Sequence, residues 1–376
     1  MIRLMAWVLA LWLVAAAALA HKASDSYLSL ETTAAGVAGR WDIALRDLDE
    51  AVGLDGDDDG AITWGELRSR AAAVQSYALA RLKLESGGGP CPLAPGEMRV
   101  DHHSDGAYAV LGFAARCAAG PERLTVEYRL LFDLDPQHRG LLRLTADGTT
   151  QTAVFAPTAA RQVFEAGSAP WRGFVQYVEE GIWHIWTGYD HLLFLLSLLL
   201  PAVLVREAGA WRPAPRFRDA LWDAVRIVTA FTLAHSLTLS LAALGYLALP
   251  ARWVEAAIAA SVVAAALNNI FPLLHGRRAR LAFLFGLVHG LGFASVLLDL
   301  GLSPALRLVG LAGFNLGVEA GQLVLVAGFL PLAYGLSRSP WYPPAALRWG
   351  SAAIALLAGV WLVERGFDLK LLSFQS

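Results

Sequence analysis

GIWHIWTGYDHLLFLLSLLL, residues 181–200, sets two histidines and an aspartate at the head of a run that otherwise reads as lipid-facing helix. Ionisable groups at hydrocarbon depth are costly, and where they occur they usually mark a pathway or a site. Runs of the same apolar character recur to the C-terminus, and their lengths predict helices near residues 184–205, 223–248, 254–275, 280–299, 305–335 and 348–364. Each is long enough to cross a hydrocarbon layer of about 30 Å. The whole chain of 376 residues is 56% hydrophobic, above the roughly 45–50% of soluble domains. A net charge of −2 gives no reason to expect nucleic acid as a partner.

Arginines set the expected orientation. Arg206, Arg212, Arg216 and Arg218 follow the first run, Arg277, Arg278 and Arg280 separate the third from the fourth, and Arg338 and Arg348 separate the fifth from the sixth. Arginine-rich loops stay cytoplasmic, so the head of the first helix and the C-terminus are expected outside, with the bilayer of the cell's inner membrane as the partner common to all six spans.

Residues 1–20, MIRLMAWVLALWLVAAAALA, combine a basic Arg3, an apolar core and a small-x-small end. They read as a cleaved signal peptide, with an uncleaved anchor as the alternative. Residues 21–170 then form an exported domain. Its period-two stretches, such as LTVEYRLLFDL (124–134) and GLLRLTADG (140–148), predict a small β-rich fold, expected as a sandwich. Cys91 and Cys117 both fall in it, where an oxidising compartment favours a disulfide over free buried thiols. His102, His103 and His138 show no ligand spacing and read as surface residues.

DGDDDGAITWGE, residues 55–66, breaks the alternation, and a helical run, LRSRAAAVQSYALARLKLES, is expected after it. The twelve residues fit the calcium-loop template. Asp55, Asp57 and Asp59 would supply carboxylates, Gly60 the turn, Ala61 a backbone carbonyl, Thr63 a water-mediated contact and Glu66 a bidentate carboxylate. No entering helix is obvious, and an acidic surface loop is the plain alternative.

Across residues 171–376, the six-helix domain, the remaining polar groups converge. His184, Gly188 and His191 share a helix face at i, i+4, i+7, with Asp190 about 100° round. The later runs hold FTLAHSLTLS with His235, NNIFPLLHG with Asn268 and His275, FGLVHGLGFA with His289, and GFNLGVEAGQ with Asn315, Glu319 and Gln322 on one face. On the opposite side of that last run, Gly313, Gly317 and Gly321 make a small-residue ridge suited to close helix contact. Counting 1.5 Å per residue places His191, His235, His289 and Asn315 roughly 10–20 Å below one surface. His275 falls at the other. One site is therefore expected from His184, Asp190, His191, His235, His289 and Glu319, with Asn268, Asn315 and Gln322 supporting it. No Cys or Met lies in this half, and imidazole with carboxylate suits Ni²⁺, Co²⁺, Zn²⁺ or Fe²⁺ better than Cu⁺.

At AHKASDSYLSL, HIWTGYDHLLFLLSLLL, FTLAHSLTLS, FGLVHGLGFA and FNLGVEAGQ the chain resembles the HupE/UreJ family of membrane proteins, in the branch with an exported N-terminal domain. The resemblance implies a nickel or cobalt permease associated with metalloenzyme maturation, and its histidine-and-aspartate motif maps onto His184, Asp190 and His191. The compact permeases of that family lack a large exported domain, and their later His-Gly-Glu motif is matched only by His289-Gly290 and the distant Glu319. A different class is the second reading: a zinc-dependent intramembrane hydrolase in which the same shell activates water against a lipid or peptide bond. The identity of any protein that docks on the exported domain is left open.

Overall fold

The computed structural model describes residues 24–33, 36–103, 106–117, 123–146, 148–165, 171–207, 209–247, 249–274, 277–292 and 304–367. The expected signal peptide, residues 1–20, and His275 lie outside them. The described chain divides into two compact units at Gln176 and Tyr177.

The first unit is β-rich. A six-stranded mixed sheet has the order β5-β6-β2-β1-β8-β9, built from β1 (Asp25–Thr33), β2 (Gly36–Ala44), β5 (Leu93–His103), β6 (Gly106–Ala115), β8 (Arg139–Ala146) and β9 (Thr149–Phe155). β1 and β8 are its parallel pair. A four-stranded antiparallel sheet has the order β10-β7-β3-β4, from β3 (Leu82–Ser86), β4 (Gly89–Cys91), β7 (Arg123–Tyr128) and β10 (Arg161–Glu165). Strand residues alternate between faces, so Leu28, Leu30, Trp41, Ile43 and Leu111 of the larger sheet meet Leu82, Leu84, Leu124, Val126 and Tyr128 of the smaller in one core. Burying each such side chain contributes about 1.5–3 kcal/mol. Cys91 on β4 is joined to Cys117, just beyond β6, by a disulfide.

Between β2 and β3 the chain forms α1 (Leu45–Val52), α2 (Trp64–Ser69) and α3 (Ala71–Leu79). The helical run expected through Ser86 stops at Leu79. Leu82, Leu84 and Ser86 are buried while Lys83 is exposed, and that period of two belongs to a strand. The β-run expected over 124–134 likewise ends at Tyr128, followed by a turn in which Leu131 takes φ 58°.

The second unit is helical: α4 (Trp171–Thr187), α5 (Tyr189–Leu199), α6 (Phe217–Ala243), α7 (Ala251–Ile270), α8 (Arg278–His289), α9 (Pro304–Ser337) and α10 (Ser351–Phe367), with Pro343–Gly350 winding as a wide π-type turn into α10. Four described segments are long and apolar enough to cross a membrane: Phe217–Ala243, Ala251–Ile270, Leu306–Ser337 and Pro343–Phe367. The first expected span, 184–205, is instead broken at Gly188, and its apolar part continues as the shorter α5. The fourth, 280–299, is helical through His289 and passes outside the described residues after 292. The loop after α5 holds a hairpin, β11 (Leu204–Glu207) with β12 (Ala210–Pro213).

Interhelical bonds order the helix ends. At one end Arg365 of α10 reaches Asp190 of α5 and the Glu255 carbonyl of α7, while Arg307 of α9 donates to the Ala243 carbonyl of α6. At the other, Asn269 of α7 donates to the Ser197 carbonyl of α5 and to Ser351 of α10, and Arg278 of α8 pairs with Asp223 of α6 at 3.2 Å. Consecutive apolar helices therefore alternate in direction. Lipid supplies no hydrophobic force between helices, so close approach and hydrogen bonds hold them. A Cβ on Gly317 would lie 2.0 Å from the Val178 carbonyl oxygen, which puts the expected glycine ridge of α9 against α4.

Candidate metal centre

α5 begins with Tyr189, Asp190 and His191 immediately after the break at Gly188, whose backbone sits at φ −75°, ψ 89°. In an unbroken helix, residues seven apart are separated by about 10.5 Å along the axis, too far for two rings to share an ion. The break draws them together: the ring centroids of His184 and His191 are 4.5 Å apart. A Cβ at position 188 would stand 2.5 Å from the His184 carbonyl oxygen and 3.0 Å from His191 Nδ1, so only glycine fits between them.

His235 of α6 completes the group. Its centroid lies 6.2 Å from that of His184 and 6.0 Å from that of His191, and one nitrogen from each of the three rings falls within 4.8 Å of the others. Nitrogens bound about 2.0–2.1 Å from one ion stand roughly 3 Å apart, so small ring rotations would close this set. His235 is 0% exposed, with the side chain of Asn315 of α9 beside its ring.

His289 adjoins from α8, its centroid 4.8 Å from that of His191. Glycines bring α8 against α6: a Cβ at Gly290 would meet the His235 carbonyl oxygen at 2.2 Å. The protonation pattern of His289 follows from its partner. Ser261 Oγ gives its single proton to the Ile258 carbonyl at 2.6 Å, and therefore accepts from His289 Nε2–H at 2.8 Å. That leaves Nδ1 as a bare lone pair, buried and without a partner, the outer-partner arrangement by which proteins fix a metal-binding imidazole. Phe194, Phe231 and Phe314 wall the rings. A group of imidazoles walled by aromatic rings suits a borderline divalent cation.

The other expected site residues stand elsewhere. Asp190 turns from the histidines to an ion pair with Arg365 at 2.9 Å. Glu319 accepts from Thr229 at 3.4 Å, and Gln322 from Thr232 at 2.9 Å, so the polar face of α9 lies along α6 without adding a carboxylate to the imidazole group. Asn268 accepts from the Leu274 amide and closes the turn after α7. Its neighbour Asn269, 6% exposed, is the interior one. Spacing along one helix gives an angle but not which neighbouring helix fills it, and nothing in the sequence marked Ser261 or Arg365.

In the β-rich unit, carboxylate oxygens of Asp55, Asp57 and Asp59 lie within 4.8 Å of one another. α1 enters the loop and α2 leaves it, supplying the helix that the sequence did not make obvious. Asp58 at φ 56° and Gly60 at φ 82° bend the chain. Glu66 folds back, its Oε1 accepting from the Gly56 amide and its Oε2 from the Thr63 amide, each at 2.8 Å. These backbone bonds, Thr63 first, hold its carboxyl below the usual range, while repulsion from Asp59 raises that of Asp57. Thr63 caps α2, and the Ala61 amide bonds Asp59.

The histidines read as surface residues divide. His102 is exposed. His103 pairs with Asp42 at 3.0 Å; burial raises the Asp42 carboxyl, but hydrogen bonds from His103 and Arg40 outweigh it and hold it low. His138 is 0% exposed, bonded through Nδ1 to Ser24 Oγ at 2.6 Å and through Nε2 to Tyr128 Oη at 2.7 Å, and burial pushes its pKa down to about 3. Alternation along a strand cannot reveal a polar network closed between β1 and the turn before β8.

Membrane-length helices around a buried imidazole cluster define a polytopic helical membrane protein with a candidate cation site. A family comparison matches "HupE / UreJ protein" over residues 160–365, more than half of the chain. The chain belongs to the HupE/UreJ family. A search among curated proteins finds no match.

Proposed function

We propose that the helical unit is a permease for a divalent transition cation, nickel or cobalt, that takes its substrate from the extracytoplasmic side of the cell's inner membrane through His184, His191, His235 and His289. One observation carries the reading: three imidazoles from α4, α5 and α6 present nitrogens within 4.8 Å of one another, among apolar helices and with no carboxylate in the group. Family membership and the arginine distribution support the same reading, with the β-rich unit and the C-terminus outside. Calcium in the Asp55–Glu66 loop steadies the exported unit, and Cys91–Cys117 closes it. Asp190 and Glu319 act on the approach and along α6 rather than as ligands.

Cells producing His235→Ala should accumulate nickel or cobalt at the background rate, with folded protein at parental abundance, whereas His102→Ala should match the parent. Equal accumulation by His235→Ala and the parent contradicts the proposal. Hydrolysis of lipid by the zinc-loaded protein would favour the hydrolase reading instead.

A further inference from the structure

The pair Asp190–Arg365 has a position that the imidazole site does not explain. Asp190 directly precedes His191 in the first turn of α5, and Arg365 lies in the last turn of α10, 175 residues later. Arg365 Nη1 donates to Asp190 Oδ2 at 2.9 Å and to the Glu255 carbonyl of α7 at 3.4 Å, and Nη2 reaches Asp190 Oδ1 at 3.5 Å. Arg252 of α7 in turn donates to the Arg365 and Gly366 carbonyls. Three helices are thus fastened at the end of the bundle that Asp190 shares with Arg307 and the close of α6. Both charged side chains are partly exposed, 22% for Arg365 and 19% for Asp190, while His191 one residue on is 7% exposed. The carboxylate is thus the more exposed of two consecutive residues, beside a buried imidazole.

We propose that Arg365 is a resident counter-cation at the mouth of the imidazole site, and that an incoming divalent ion must displace it from Asp190 before reaching His191. This rests on the permease reading. A guanidinium and a divalent cation compete for the same carboxylate, and the doubly charged ion wins only after shedding part of its water. The latch therefore holds α5, α7 and α10 together while no ion is present and releases them as one arrives, and Asp190 is a relay on the approach rather than a ligand of the final site.

The test measures cobalt uptake against cobalt concentration in vesicles carrying the full chain, together with equilibrium cobalt binding by the purified protein from its visible absorption. Arg365→Gln bares the carboxylate and should lower the half-saturating cobalt concentration about fivefold while reducing the maximal rate. Asp190→Asn should raise half-saturation about tenfold, and Arg365→Lys should stay near the parent. The exchange Asp190→Arg with Arg365→Asp restores the pair but places a cation beside His191, so it should recover thermal stability and not cobalt affinity. An exchange that recovers both, or Arg365→Gln and Asp190→Asn shifting half-saturation in the same direction, makes the pair a structural clamp and overturns the proposal. A parent that neither binds nor moves cobalt sinks the permease reading and this one with it. A parent that does both beside an Arg365→Gln variant of unchanged half-saturation removes the latch alone.

Discussion

His138 shows how a single residue can be misjudged from its neighbours in sequence. Lying between Gln137 and Arg139 in a polar turn, it gives no sign of burial, yet its ring joins Ser24 to Tyr128, and Tyr128 to Ser26, inside the β-rich unit. Its folded pKa of about 3 lies below the ordinary 6.5, so the fold favours the neutral ring. The stability that this contributes is fully present above pH 6.5 and is lost as the pH falls toward 3. At 1.36 kcal/mol per unit, the loss at pH 4.5 is about 3 kcal/mol. Melting of the β-rich unit, followed in the whole chain, should therefore drop steeply between pH 6.5 and 4.5, and His138→Gln, although less stable at pH 7, should flatten that slope. An unchanged slope in the variant would assign the acid sensitivity to other groups. In the helical unit the sequence pointed to His184, Asp190, His191, His235, His289 and Glu319, because polar groups in apolar runs are conspicuous, and the structure brings only the four histidines together. The roles of Asp190 and Asn268 were not legible, since their partners, Arg365 and the Leu274 amide, depend on how helices and turns close in three dimensions.

At the scale of elements, the periodicity located most helices but missed the break at Gly188. Helical spacing shows which residues share a face, and two histidines seven apart look aligned in a straight helix. What brings their rings to 4.5 Å is the interruption itself. Gly188→Ala puts a methyl group against the His184 carbonyl and His191 Nδ1, so it should weaken cobalt binding at least tenfold while the protein still folds, as read by cobalt titration beside a thermal melt. Parental affinity in that variant would show that the break does not shape the site. The acidic loop was legible as a motif because its twelve positions match the calcium-loop template in sequence, whereas α1 before it, at eight residues, was too short to be conspicuous in the sequence. Chelating calcium should lower the melting temperature of the β-rich unit, and Glu66→Gln, which keeps a side-chain acceptor for the cap on α2 but removes the charge, should abolish that dependence. Equal melts with and without calcium in the parent would leave the loop a plain acidic turn.

For the molecule as a whole, composition separated the lipid-crossing half from the β-rich half, and the two cysteines expected to pair are joined. The disulfide closes a loop of 26 residues, which on chain entropy stabilises the unit by about 3.5 kcal/mol. Cys91→Ser with Cys117→Ser should lower the denaturation midpoint of that unit correspondingly, and no change would mean that β4 is held by its core contacts alone. The alternating helix ends agree with the arginine pattern, and the imidazoles of α4, α5, α6 and α8 gather between those ends. The central claim is that an ion passes through this cluster. Its most direct measurement is cobalt or nickel influx into sealed proteoliposomes of the purified protein, read by a trapped metal-sensitive dye. The parent should pass the ion and His191→Ala and His235→Ala should not, although both insert and fold. Influx through both variants at the parental rate, or none through the parent, would contradict the account.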